Sequence, residues 1–291
     1  MIDKLILGTV QFGLDYGINN TKGKPNKAEV FELLDYAFQS GIQCLDTADA
    51  YGNATDLIGD YHQKRPHQFN IITKFNSKNI GLDKSVFPLI EKTLERLQVA
   101  TLYGYLFHSF DDYQNHKYLL DQLKEIKAKG IIKHLGVSVY TNDQLESVIN
   151  DDDAIDIIQV PYNLLDNHTQ RGALLKLAKE KHKIIHTRSA FLQGLFFKSI
   201  STLPTTLLPL KKDLKLIQKT ASNQAVDMAT LALNYCISNT LINGVLIGVD
   251  SIEQLKNNIS TLKVSLPKQV INNIDTIAVA HPELLNPTNW S

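Results

Sequence analysis

Residues 42–74 read IQCLDTADAYGNATDLIGDYHQKRPHQFNIITK, and this stretch decides the fold. Ile42 to Leu45 is a short apolar run suited to a buried strand. Thr55–Gln63 has helical spacing, and Ile71–Thr73 is a second short strand. Strand, helix and strand in that order form the crossover unit of a parallel sheet. Upstream, Leu5–Leu7 opens as a strand, and Asn26 followed by Glu29, with Pro25 ahead of them, resembles a capping box. Val30, Leu34, Ala37 and Phe38 keep helical spacing until Gly41 offers a C′ stop. Downstream, strands are expected at Leu102–Phe107, His134–Val139, Ile157–Pro161, Lys183–Thr187 and Gly244–Gly248. Helices are expected at Lys84–Leu97, Lys117–Lys129, Asn142–Ile149, Gln170–Glu180, Leu210–Asn223, Ala225–Ser238 and Ser251–Thr261. Eight strands, each followed by helix, predict an α/β chain folded as a (β/α)8 TIM barrel, with an additional C-terminal helix near Pro267–Ala280. A doubly wound sheet is the rival, but the glycines at Gly8 and Gly13 lack the G-x-G-x-x-G spacing that seeds it. With no linker or composition break, residues 1–291 are expected to form a single domain.

The chain has 291 residues, 43% apolar and 21% charged, the balance of a globular protein with an ample core. Thirty Lys+Arg offset thirty Asp+Glu, and zero net charge argues against broad capture of nucleic acid or anionic membrane. Cys44 and Cys236 form no CxxC or Cys/His cluster, so neither a zinc site nor a disulfide framework is expected. No apolar run reaches ~18 residues. Met1-Ile2-Asp3-Lys4 leads into a strand rather than a signal-peptide core. Lys117, Lys124, Lys127, Lys129 and Lys133 sit at helical spacing among acids and read as a solvated outer face. The expectation is a cytoplasmic protein acting on a small molecule, without metal, nucleic acid or membrane.

Chemistry in such a barrel sits at the C-terminal ends of the strands and in the loops after them. Those positions hold Asp46 and Tyr51 after the second strand, Lys74 on the third and His108 on the fourth; Ser138, Gln159 and Arg188 end the next three. Each has an ordinary reading: Asp46 as a turn cap, Tyr51 as a loop anchor, His108 as a satisfied buried histidine, Lys74 as a solvated strand end. Their convergence from adjacent strands favours a site, because burying an Asp–Lys pair costs desolvation energy that stability does not require. A tyrosine near ~10 holds its proton too tightly to exchange it at neutral pH, and an adjacent ammonium favours the phenolate. Asp46 would keep Lys74 charged, Tyr51 would protonate a carbonyl oxygen or accept an alcohol proton, and His108 would orient that oxygen. A Schiff-base lyase using Lys74 is the competing chemistry, although Asp46 favours a charged, non-nucleophilic lysine.

Asp46-Thr47-Ala48 with Tyr51-Gly52, Ile72-Thr73-Lys74 and Leu106-Phe107-His108-Ser109 resemble the tetrad motifs of the aldo-keto reductases. The resemblance continues through Leu135-Gly136-Val137-Ser138, Gln159-Val160-Pro161-Tyr162-Asn163 and Gln193-Gly194-Leu195, and runs from Leu7 to about Leu262. It implies a barrel that binds NADP(H), or less often NAD(H), and passes hydride between nicotinamide C4 and a carbonyl without metal. It also implies Tyr51 as acid/base, Lys74 and Asp46 as its tuning pair, His108 as orienter, and Ser138 and Gln159 on the nicotinamide carboxamide. Thr9 and Arg188 join the cofactor set. The alternative within the resemblance is a regulatory protein that binds cofactor without turnover. Val139 stands where the family usually has Asn, which removes one carboxamide contact, and Arg188 stands where many members stack Tyr. Arg188 would stack on the ring, reach a polar substrate group or form a barrel-mouth salt bridge.

For the cofactor's far end, Gly248, Ser251, Gln254 and Asn258 surround a helix N-terminus suited to phosphate, though Ser251 with Gln254 also spells an ordinary capping box. NADP-selective relatives often place Arg or Lys where this chain has Asp250 and Gln254, so the NADP(H) that the family resemblance implies stands beside an NAD(H) alternative. Phe12, Tyr16, Phe75 and Tyr140 are expected to wall the substrate pocket, with Phe110 and Trp290 as further candidates. The polar loop Leu14–Pro25 suits a hydroxyl-rich or phosphorylated substrate such as a sugar or sugar nucleotide, and reads equally as a surface loop.

Overall fold

The short apolar runs pair in chain order, each with the next and the last with the first, so the sheet closes into a barrel. In the computed structural model, which describes residues 1–18, 20, 23–80, 84–151 and 153–290, all eight strands run parallel. They are β1 Leu5–Gly8, β2 Cys44–Asp46, β3 Asn70–Phe75, β4 Leu102–Phe107, β5 Ile132–Ser138, β6 Ile155–Pro161, β7 Ile184–Arg188 and β8 Gly244–Gly248. The two-residue period of a strand sorts their side chains into two sets. Ile6, Ile72, Leu106, Ile157 and Leu246 pack together inside the barrel. Their neighbours Leu5, Leu7, Leu45, Ile71, Leu135, Val137, Ile158, Val160, Ile185, Val245 and Ile247 join the larger core beneath the helices. Burial on both faces is why these strands read as nearly continuous apolar runs.

The helices are α1 Val10–Gly13, α2 Lys27–Gln39, α3 Ala54–Lys64, α4 Phe87–Leu97, α5 Phe110–Asn115, α6 Leu120–Ala128, α7 Asn142–Asp151, α8 His168–Glu180, α9 Lys211–Asn223, α10 Met228–Ser238, α11 Ile252–Thr261 and α12 Lys268–Asp275. Asn26 caps α2 by accepting from the Ala28 and Glu29 amides, and the Glu29 carboxylate accepts in turn from the Asn26 amide. Two helices start later than their periodicity suggests, because Lys84 and Ala225 have left-handed backbone (φ 53 and 51) that no helix accommodates. Pro88 in the first turn of α4 and Asp227, which caps the Thr230 amide, then set the starts. The stretch 117–129 holds a 3-10 turn followed by the shorter α6, and the C-terminal helix ends at Asp275. No helix among the described residues is long and apolar enough to cross a membrane.

Register fixes what meets at the rim. Gly8 pairs with both Asp46 and Gly248, Ser138 with Gln159, and Pro161 with Arg188, so the inward-facing polar residues end at one level.

Candidate active site

Lys74 and Asp46 are each 2% exposed, and the ammonium lies 2.5 Å from Asp46 Oδ1 while also donating to the Thr47 carbonyl at 3.2 Å. Gln159 Nε2 donates to the other Asp46 oxygen at 2.9 Å. Removing such a pair from water costs several kcal/mol per ion, so the barrel mouth carries a charge arrangement that packing alone does not call for. Tyr51 sits in the turn after β2, with Lys74 Nζ 5.5 Å from its ring centroid. The His108 ring stands edge-on to Tyr51 at 5.9 Å and 83°. Two glycines seat that turn: a Cβ on Gly13 would lie 1.9 Å from the Tyr51 carbonyl oxygen, and one on Gly52, at φ 54, would lie 2.5 Å from the Gly13 oxygen. The loops after β1 and β2 therefore touch backbone to backbone, and Tyr51 is placed by that contact.

Burial pushes the Tyr51 phenol above its ordinary range, and the Lys74 ammonium pulls against it without prevailing. This corrects the expectation of a net lowered phenol: at this depth the loss of water outweighs the neighbouring charge. Burial also works against the Lys74 charge, but the Asp46 carboxylate and the Tyr51 phenol oppose it and hold the ammonium above its usual range. A lysine held in its charged form is not a nucleophile, which counts against Schiff-base chemistry. Burial, helped by the Lys74 charge, pushes His108 down to about 4, so a neutral imidazole faces the phenol at neutral pH. The arrangement has a protonated phenol, a fixed cation to stabilise its conjugate base and a neutral hydrogen-bonding ring beside it.

A cavity of about 660 Å³ extends from these groups past Ser138, Gln159 and Arg188 to Gly248, Asp250, Gln254, Asn257 and Asn258. Thr9 lines it and donates its hydroxyl to the Asp46 carbonyl at 3.0 Å. The Arg188 guanidinium lies 3.8 Å from the Tyr140 ring centroid, and donates to the Val139 carbonyl at 3.1 Å. The Tyr140 carbonyl is held in turn by Arg171 at 2.6 Å, itself in a buried ion pair with Asp166. Arg188 Nε and Gln11 Oε1 are buried without hydrogen-bond partners among the described residues. A Cβ on Gly248 would lie 2.5 Å from Gln11 Nε2, so the end of β8 presents bare backbone to the cleft. Unpartnered polar atoms, a side-chain-free strand end and a cavity of this size fit an extended nicotinamide dinucleotide.

Asp46, Tyr51, Lys74, His108, Thr9, Ser138, Gln159, Arg188, Gly248, Gln254, Asn258, Tyr16 and Tyr140 all line this one cleft. Phe12 and Phe75 do not: they are 0% and 1% exposed and belong to the core, Phe75 stacking on Tyr105. Their expected role as pocket walls is corrected, since Phe75 follows inward-facing Lys74 and must point the other way. Phe110 packs on the core, and Trp290 donates to the Leu284 carbonyl away from the cleft. Ser251 is turned to cap the Gln254 amide of α11 and does not line the cavity. Within the polar loop, Tyr16, Gly17 and Asn20 line the cleft, while Asn19, Thr21 and Lys22 lie outside the described residues. Phe191, Gln193 and Phe197 were not singled out as contacts; they come from the irregular loop after β7, which has no period to read. Gln193, at φ 51, donates to the Tyr16 hydroxyl at 2.8 Å and accepts from the Ile18 amide, tying that loop to the one after β1.

The family model described as the aldo/keto reductase family matches residues 4–279. Among curated relatives, an uncharacterized oxidoreductase of Bacillus subtilis, YqkF, is 24% identical over 80% of this chain and 82% of its own. The D-arabinose 1-dehydrogenase of Saccharomyces cerevisiae is 26% identical over 88% of this chain and 81% of its own. Among solved structures, the aldo-keto reductase AKR11C1 from Bacillus halodurans superposes with a TM-score of 0.73 at 21% identity, covering 94% of this chain and 92% of that one.

Proposed function

This chain belongs to the aldo/keto reductase family, and on that premise we propose that Tyr51 is the acid/base of a hydride transfer involving a hydroxyl-rich, sugar-type substrate. At the coarser level, the protein is an NAD(P)H-dependent oxidoreductase acting on carbonyl or alcohol groups of small molecules. The observation that carries the finer reading is the meeting of Asp46, Lys74, Tyr51 and His108 at one barrel mouth, with Lys74 and Asp46 2.5 Å apart.

A bound nicotinamide supplies or accepts the hydride. The chain's own residues handle the proton and the positioning. In reduction, the Tyr51 hydroxyl protonates the substrate oxygen, and the phenolate left behind is stabilised by the Lys74 ammonium. Asp46 holds that ammonium charged and in place. In oxidation the same phenolate accepts the alcohol proton. His108, neutral, hydrogen-bonds the substrate oxygen and orients it. Ser138 and Gln159 would hold the nicotinamide carboxamide. Thr9, Arg188, Gly248, Gln254 and Asn258 would line the remainder of the cofactor, with Ser251 acting through its cap of α11.

A sugar-type substrate is supported by the polar groups of Tyr16, Asn20, Ser109 and Gln193 along the cleft, which can exchange hydrogen bonds with hydroxyls. The relative named for D-arabinose supports the same class. The test is turnover of wild type and Tyr51→Phe with NADH and NADPH across a panel of aldoses, ketoses and polyols. The expected result is activity on hydroxylated substrates that falls about 10²–10⁴-fold in the variant while cofactor still binds. Undiminished turnover in Tyr51→Phe overturns the assignment.

A further inference from the structure

Resting on the reading that a nicotinamide dinucleotide occupies the cleft, we propose that its far end selects a free 2′-hydroxyl, making NAD(H) the working cofactor and Asp250 the selecting residue. The two cofactors differ by one phosphate, which carries about −1.5 to −2 charges at neutral pH. The end of the cleft that would receive it is formed by Gly248, Asp250, Gln254, Asn257 and Asn258, and no described Lys, Arg or His lines it. The cleft's cations lie toward its other end, Lys74 paired with Asp46 and Arg188 against the Val139 carbonyl and the Tyr140 ring. Lys256, in α11, places its ammonium 5.4 Å from the Tyr36 ring centroid on α2 and is not among the cleft residues.

The start of α11 does not replace the missing cation. The Gln254 amide already donates to Ser251 Oγ at 3.4 Å, and Gln254 Oε1 already accepts from the Asp250 amide at 3.2 Å. Glu253 adds a second carboxylate to the first turn. Yet this end is built for a polar ligand: Asn258, 6% exposed, lines it, and beside Gly248 the buried Gln11 Oε1 has no hydrogen-bond partner among the described residues. A ribose hydroxyl can donate to the Asp250 carboxylate, whereas a phosphate there meets a like charge with no cation among the described lining residues to neutralise it. The family resemblance alone favours NADP(H); the charges at this end favour the other dinucleotide.

The full-length protein is titrated with NADH and NADPH, following nicotinamide fluorescence, so that binding is read without turnover. The expected result is a Kd for NADH at least tenfold below that for NADPH. That gap should narrow as salt rises from about 0.05 to 0.5 M, because repulsion is screened. Asp250→Asn removes the charge at nearly constant shape and should tighten NADPH several-fold with little change for NADH; thermal melting of the variant checks its fold. Equal or tighter NADPH binding by wild type overturns the proposal and leaves the hydride-transfer reading standing. An unchanged NADH/NADPH ratio in a folded Asp250→Asn overturns the role of Asp250. Binding of neither dinucleotide overturns the cofactor reading and this proposal together.

Discussion

Replacing Lys74 by Met should destabilise the protein by about 3–5 kcal/mol, the usual result of stripping one partner from a buried ion pair. The structure sets that magnitude at the high rather than the surface end. Asp46 is 2% exposed, and without the ammonium 2.5 Å away its carboxylate keeps, among the described residues, only the Gln159 amide as a side-chain donor. In a large domain each kcal/mol moves Tm by about 2–4 °C, so the midpoint should fall on the order of 10 °C. Asp46→Asn should also cost stability, because it leaves the buried ammonium with the Thr47 carbonyl and no counter-charge. The double variant Asp46→Asn/Lys74→Met removes both charges and should recover most of the loss, giving a coupling energy of several kcal/mol between the sites. Urea unfolding followed by far-UV circular dichroism, with slopes compared across the four proteins, measures all three differences. A Lys74→Met cost below about 1 kcal/mol, or a double variant equal to the sum of the singles, refutes the reasoning, because the pair would then behave as a solvated one.

Gly13→Ala places a methyl 1.9 Å from the Tyr51 carbonyl oxygen, so the two loops must separate by more than 1 Å to restore an ordinary contact. Displacement on that scale should lower kcat by on the order of 10²-fold, with cofactor affinity changed only a few-fold; an unaltered kcat on a reactive aldehyde such as 4-nitrobenzaldehyde refutes this. Burial pushes His108 and His186 down to about 4 in the folded chain, whereas unfolded imidazoles titrate near ~6.5. The unfolded state therefore binds more protons across that window, and stability should fall as pH is lowered from about 6.5 to about 4. Urea midpoints that stay level over the window contradict it. The same burial predicts that NMR of His108 shows a neutral ring throughout pH 6 to 8; a protonated ring at pH 6 contradicts the burial argument.

The barrel and the grouping of the candidate site residues in one cleft were legible in the sequence because both follow from short-range rules. Two-residue and helical periods mark which runs are strands and which are crossovers, and strand ends in such a fold converge by construction, which brought Asp46, Lys74, His108, Ser138, Gln159 and Arg188 to one rim. Phe75, expected on the pocket wall, instead faces the helices, because the residue after inward-facing Lys74 must point the other way along a strand. Phe12, on the four-residue α1, had no period long enough to reveal its face. Phe191 and Phe197 reach the cleft from the aperiodic loop after β7. Ser251, ambiguous between cap and phosphate ligand as a motif, is resolved by the side chain's bond to its own helix. The Tyr51 proton depends on tertiary structure most of all. Residue types alone place an ammonium near a phenol and argue for a lowered affinity; only the depth of the barrel mouth decides how much water is lost. Here desolvation outweighs the charge and the phenol keeps its proton.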